Sequence, residues 1–167
     1  MTGAVWLLLF VTAQRLAELV YARANERRLR ASGAVEVGAA HYPAIVSLHA
    51  AWLIMLWLVG RDQPLQPVWT GLYLLLQLGR AWVLLTLGRR WSTRVFVVPG
   101  ETLVARGPYR FVSHPNYVVV ACEIFVLPLA LGLPVLSALF GLANLAVLWW
   151  RIRVEGRALA EMATRPA

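Results

Sequence analysis

The stretch NYVVVACEIFVLPLALGLPVLSALFGLANLAVLWW, residues 116–150, runs straight into RIRVEGR, residues 151–157. One charged residue, Glu123, interrupts the apolar run. It divides into two segments, 116–132 and 134–150, each at the lower limit of about 17 residues for crossing a ~30 Å hydrocarbon layer. Gly132-Leu133-Pro134 supplies a tight turn between them. The pattern predicts a helical hairpin in a membrane, closed by arginines where the chain re-enters water.

Working outward, residues 3–22, 44–60 and 68–87 form three further apolar segments. The expected fold is therefore an all-α integral membrane protein with about five transmembrane helices, forming one domain over residues 1–167. Composition agrees: 60% of residues are hydrophobic, 14% are charged, and the mean hydropathy is +0.65. The first segment lacks a basic leader, and Gln14, Arg15 and Glu18 interrupt it before any small-residue cleavage site, so it reads as a retained helix.

All 16 basic residues are arginine, and the net charge is +8. Arg23, Arg27, Arg28 and Arg30 follow the first segment; Arg89, Arg90, Arg94, Arg106 and Arg110 follow the third; Arg151, Arg153, Arg157 and Arg165 follow the fifth. Only Arg61 lies in the second connection, and the fourth has none. This asymmetry predicts cytoplasmic odd loops and tail, with the N-terminus outside. The arginines alternate with long apolar segments and form no single patch, which argues against nucleic acid as a partner. A lone cysteine, Cys122, excludes an intrachain disulfide and a multi-cysteine metal site. His41 and His49 are eight residues apart with no accompanying ligand motif, so no metal is expected. Seven tryptophans, at 52, 57, 69, 82, 91, 149 and 150, lie within or near the ends of segments, where most read as lipid-facing or interfacial anchors and an aromatic stripe lining a pocket for an apolar chain is the alternative.

Charged residues at membrane depth need a partner or a task. Arg15 and Glu18 are three residues apart, the spacing of a local ion pair on one helix face. Arg80 and Glu123 have no such local partner. They are expected either to pair between the third and fourth helices or to line a polar cavity.

Residues 106–117, Arg-Gly-Pro-Tyr-Arg-Phe-Val-Ser-His-Pro-Asn-Tyr, are where chemistry can sit. Gly107-Pro108 sets a turn, and His114-Pro115 precedes a new helix whose first N–H groups suit an anion. Tyr109 and Tyr117 offer ring faces and hydroxyls, and His114 offers a base near neutral pH. Capping of a helix at the interface explains the same residues more blandly. In the tail, Arg151 and Glu155 are four apart, as are Arg153 and Arg157, which fits an amphipathic helix on the membrane or a cap over the 107–117 loop.

Gly107-Pro108-Tyr109, then His114-Pro115-Asn116-Tyr117, with an arginine-rich helix carrying Glu155 and Leu159 near the C-terminus, resembles the isoprenylcysteine carboxyl methyltransferase family. Arg15-Leu16-Ala17-Glu18-Leu19, Arg23-Ala24-Asn25-Glu26 and His41-Tyr42-Pro43 make the whole chain look most like its compact bacterial branch, which O-methylates alkylpyrones or alkylresorcinols. The resemblance implies a helical membrane enzyme, in a bacterial plasma membrane, that holds S-adenosylmethionine in a cytoplasm-facing pocket and admits a lipophilic substrate from the bilayer. It assigns Gly107, Pro108, Tyr109, His114, Pro115, Tyr117, Arg151 and Glu155 to the cofactor. Residues 88–167 would then form the cofactor-binding half and residues 1–87 mainly the scaffold and substrate side. The candidates for catalysis are His114, Glu123 and Glu155, and for the acceptor Arg110, His41 and Asn25.

Two positions depart from the family pattern. Ser113 stands where arginine usually precedes His-Pro, and Gly156 follows Glu155 where a second glutamate is usual. Without that arginine a substrate carboxylate lacks its obvious partner, unless Arg110 replaces it. The departure favours a phenolic or enolic hydroxyl over a prenylcysteine carboxylate. Amine or phospholipid methylation, a sterol-reductase-like enzyme using NADPH, and a non-catalytic membrane scaffold are the competing expectations.

Overall fold

The computed structural model describes residues 2–98 and 104–163, apart from the side chains of His41 and of residues 158–163. Five helices run in chain order: α1 (Gly3–Ala31), α2 (Tyr42–Gly60), α3 (Pro67–Leu87), α4 (Pro115–Ala130) and α5 (Pro134–Ala163). Proline opens α3, α4 and α5, where its missing N–H removes nothing from the helical ladder. Thr2 caps α1 by accepting from the Val5 amide at 3.3 Å.

Four of these helices, α1, α2, α3 and α5, are long and apolar enough to span a membrane. The fourth expected span is shorter than the sequence suggested. α4 has 16 residues, about 24 Å along its axis, and contains Pro128. The expected hairpin is present: the Leu133 amide donates to the Pro128 carbonyl at 2.8 Å, turning the chain from α4 into α5. The tail is not a separate amphipathic helix, because α5 continues without interruption from Pro134 to Ala163.

The helices alternate in direction. Thr2 donates to the Arg61 carbonyl at 2.7 Å, and the Gln66 amide donates to the Ala130 carbonyl at 2.9 Å, joining the connections at one end. At the opposite end a ribbon unforeseen from the sequence pairs β1 (Val35–Val37) with β2 (Val95–Val97), antiparallel, with Glu36 opposite Phe96. At three residues each, these strands carry too little alternation to announce themselves.

The bundle is layered along its length. Near the Thr2 end, Leu7, Leu8, Val11, Leu56, Ile124, Leu127, Leu131 and Phe140 form a buried apolar cluster. Trp52 joins it, and Trp91 is also buried, so neither is an interfacial anchor; Trp69, Trp82, Trp149 and Trp150 are exposed. Between α4 and α5, a Cβ at Gly141 would lie 2.2 Å from the Phe125 ring, so the two helices approach closely only because glycine is there. Leu58, Val68, Leu78, Leu85 and Val135 point outward, as lipid-facing residues must.

Above the apolar cluster lies an ionic layer. Arg15 donates to Glu123 at 2.7 Å and to Glu18 at 3.3 Å. Arg80 donates to Glu123 at 2.8 Å and forms two further, shorter bonds to Glu18. The expected Arg15–Glu18 and Arg80–Glu123 pairs are thus parts of one charge-balanced group. Gln77 completes it, donating to Glu123 at 2.9 Å and accepting from Gln14 at 2.8 Å.

The third layer is the ribbon end. Asn25, fully buried, donates to the carbonyls of Gly88 (3.2 Å) and Trp91 (2.9 Å), fastening the segment after α3 to α1. Glu26 accepts from Ser92 at 2.8 Å, and Glu36 accepts from both Arg30 and Arg94. Burial opposes ionisation of Glu36, but the hydrogen bonds from Arg94 and Arg30 outweigh it and hold its carboxyl below the usual range.

Candidate functional site

The loop that enters α4 is set by one glycine. Gly107 has φ +59°, and a Cβ there would lie 2.4 Å from Thr86 Oγ1, so both conformation and space demand glycine. It opens a 3-10 turn, Gly107–Arg110, seated on the end of α3 with Pro108 buried. Trp82 of α3 meets Phe111 edge-on at 6.3 Å, fixing the outgoing chain.

α4 then begins at Pro115, itself buried. His114 occupies the cap position, and its carbonyl accepts from the amides of Tyr117 (3.0 Å) and Val118 (3.2 Å). The helix start therefore offers an anion less than the sequence suggested, since Pro115 has no N–H and those two amides are engaged. Side chains provide the polarity instead. The His114 ring stacks on Tyr117 with centroids 5.0 Å apart and planes 11° apart. Tyr117 donates its hydroxyl to Glu155 at 2.7 Å and accepts from Arg151 Nε at 2.8 Å.

Four residues from the loop and the tail thus converge: His114, Tyr117, Arg151 and Glu155. Tyr109 belongs to the same neighbourhood, its phenol pushed up to about 12 by burial and by the Glu155 carboxylate. Asn116 adds a buried Oδ1 without a hydrogen-bond partner. An adenosine-type ligand bearing an amino acid could supply donors for Asn116 and Glu155.

Other residues anticipated from the sequence lie elsewhere. Arg110 is exposed, with its guanidinium 4.5 Å from the Phe111 ring centroid. Ser113 is exposed. Asn25 donates its amide nitrogen to two backbone carbonyls, and Glu123 sits in the ionic layer with no exposed surface. His41 ends a short 3-10 turn; its side chain, like Arg165, is outside the described residues. The roles of Thr86, Gln77 and Gln14 were not anticipated. Gln14 alone left a signal, four residues before Glu18 on a helix face.

A sequence profile described as the isoprenylcysteine carboxyl methyltransferase (ICMT) family matches residues 69–161, from α3 through the polar tail of α5. The chain belongs to the isoprenylcysteine carboxyl methyltransferase family. A relative from Bacillus subtilis (strain 168), "Uncharacterized protein YpbQ", is 40% identical over 96% of this chain and 99% of its own length. No solved structure matches the chain. Family membership makes the protein a methyltransferase that uses S-adenosylmethionine, and the convergent residues all lie within the matched region. Its apolar helices make it an integral membrane protein.

Proposed function

We propose that this ICMT-family protein is an O-methyltransferase that methylates a hydroxyl on a lipophilic acceptor entering from the bilayer. The observation that carries the reading is the Tyr117 hydroxyl, which ties Arg151 and Glu155 together beside His114 at the end of apolar helices. Bound S-adenosylmethionine supplies an electrophilic sulfonium methyl. Glu155 and the stacked Tyr117 and His114 rings favour a positive charge beside them, an attraction that ends when that charge is consumed. Arg151 offers its remaining donors to a carboxylate.

The acceptor hydroxyl must lose its proton, and His114 takes it at a ring nitrogen in this scheme. Glu123 is assigned to structure, because both its carboxylate oxygens already accept hydrogen bonds. The lipid-facing helices would deliver the acceptor dry and aligned, which is most of what a direct transfer requires. The arginine asymmetry supports a cytoplasmic orientation for this end. Membrane lipids are the immediate surroundings and a lipophilic small molecule the partner.

Exposed Ser113, in place of an arginine, supports a phenolic or enolic acceptor over a carboxylate. The test is transfer of labelled methyl from S-adenosylmethionine by the detergent-purified protein to a 5-alkylresorcinol, a 4-hydroxy-6-alkylpyrone or a farnesylcysteine analogue. Turnover of the ring hydroxyls, lost in His114→Ala and Glu155→Ala, is expected. Preference for the farnesylcysteine analogue defeats the acceptor assignment.

A further inference from the structure

Asn144 lies in α5 with 1% of its surface exposed, and neither its amide nitrogen nor its amide oxygen has a hydrogen-bond partner. No water is at hand within a bilayer to satisfy it, so such an amide is costly unless something else arrives. Its position says where that would happen. Arg151 and Glu155 follow seven and eleven residues later, which puts all three within roughly 20° of one line along the helix, Asn144 about 10 Å below Arg151. Leu148, between them, and Phe140, below, are buried on the same face. One turn below Asn144, Gly141 packs closely against the Phe125 ring of α4. The amide therefore sits along α5 between the Gly141–Phe125 contact and the His114–Tyr117–Arg151–Glu155 cluster.

We propose that Asn144 is an acceptor-binding residue that hydrogen-bonds a hydroxyl on the ring head of the lipophilic substrate, holding a second ring oxygen toward the cofactor cluster. An amide presents donors and an acceptor side by side. A hydroxyl answers both, giving its proton to Oδ1 and accepting from Nδ2. A carboxylate or an ether only accepts, and leaves Oδ1 bare. Asn144 thus favours a resorcinol-type ring, with one hydroxyl methylated and one retained, over a hydroxypyrone, whose remaining oxygens only accept. This rests on the proposed function for the direction in which the substrate points, but binding at Asn144 is separately measurable.

The experiment compares the wild type with Asn144→Leu in detergent, following the melting temperature with a 5-alkylresorcinol, with its dimethoxy analogue, and with S-adenosylhomocysteine. Leucine suits the buried apolar surroundings, so the unliganded variant is expected to melt no lower than the wild type. The alkylresorcinol is expected to raise the melting temperature of the wild type, the dimethoxy analogue to fail to, and the variant to bind the alkylresorcinol at least tenfold more weakly. S-adenosylhomocysteine is expected to stabilise both proteins equally. Equal responses of both proteins to the alkylresorcinol, or none from the wild type, overturn the proposal. A response that depends on Asn144, with no effect of S-adenosylhomocysteine on either protein, supports the hydroxyl site and counts against the cofactor site instead.

Discussion

The Tyr117 hydroxyl donates to Glu155 at 2.7 Å across 38 residues of sequence, and this bond joins the loop end of α4 to the tail end of α5. Arg151 donates to the same oxygen at 2.8 Å, so one phenol positions both an acid and a base. Tyr117→Phe keeps the ring that stacks on His114 and removes only the oxygen. Its expected effect is about tenfold weaker S-adenosylhomocysteine binding, the consequence of losing roughly 1.4 kcal/mol of positioning. Calorimetric titration in detergent checks it; an unchanged affinity would separate Tyr117 from the cofactor site.

Gly107→Ala tests the loop from its other end. The change forces an alanine into φ +59° and drives its Cβ against Thr86. A cost of about 1–3 kcal/mol is expected, with the turn relaxing away from α3 and cofactor affinity falling with it. Gly107→Ala with Thr86→Ala relieves the collision but not the backbone conformation, so partial recovery of the melting temperature is the expected result. Full recovery would mean that sterics alone require this glycine.

The elements that could be read in the sequence were those with long periods or sharp punctuation. The apolar segments, the prolines opening helices and the Gly132 turn announced the bundle because each is local. His114 and Tyr117 were legible as neighbours because they share one short segment. What stayed hidden was partner choice between helices. Arg15 and Glu18 sit three apart, yet Glu18 is also held by Arg80, 62 residues away. Asn25, read as an acceptor contact, proves to fasten a loop, because nothing in its neighbours' identities reveals the carbonyls of Gly88 and Trp91. A single asparagine in an apolar helix, as at 144, belongs to no motif.

The ribbon end gives a pH prediction. The Glu36 carboxyl is held below its unfolded value by Arg94 and Arg30. A depressed folded pKa adds stability at pH values above the unfolded pKa of about 4.3, and that stability fades as pH falls through the lower folded value. The wild type should therefore exceed Glu36→Gln in melting temperature at pH 7, by the equivalent of at most about 1 kcal/mol for so peripheral a network. Once the pH has fallen below that folded value the two should converge. A difference that persists in acid would mean that Glu36 contributes through packing and not through charge.

The ionic layer makes the strongest demand on stability. Two arginines and two glutamates balance there, and Glu123 has no exposed surface, so removing either partner of the Arg80–Glu123 pair strands a buried charge. Arg80→Met and Glu123→Leu should each destabilise by about 3–5 kcal/mol, while the double variant, again neutral, should lose less than their sum. Melting temperature in detergent measures the coupling. A further variant separates structure from catalysis for Glu123: a structural role predicts that Glu123→Gln, assayed below its melting transition, retains S-adenosylhomocysteine affinity and a normal pH profile of methyl transfer. A displaced pH profile would restore Glu123 as a participant in proton transfer, because a residue that only braces α3 against α4 has no way to move it.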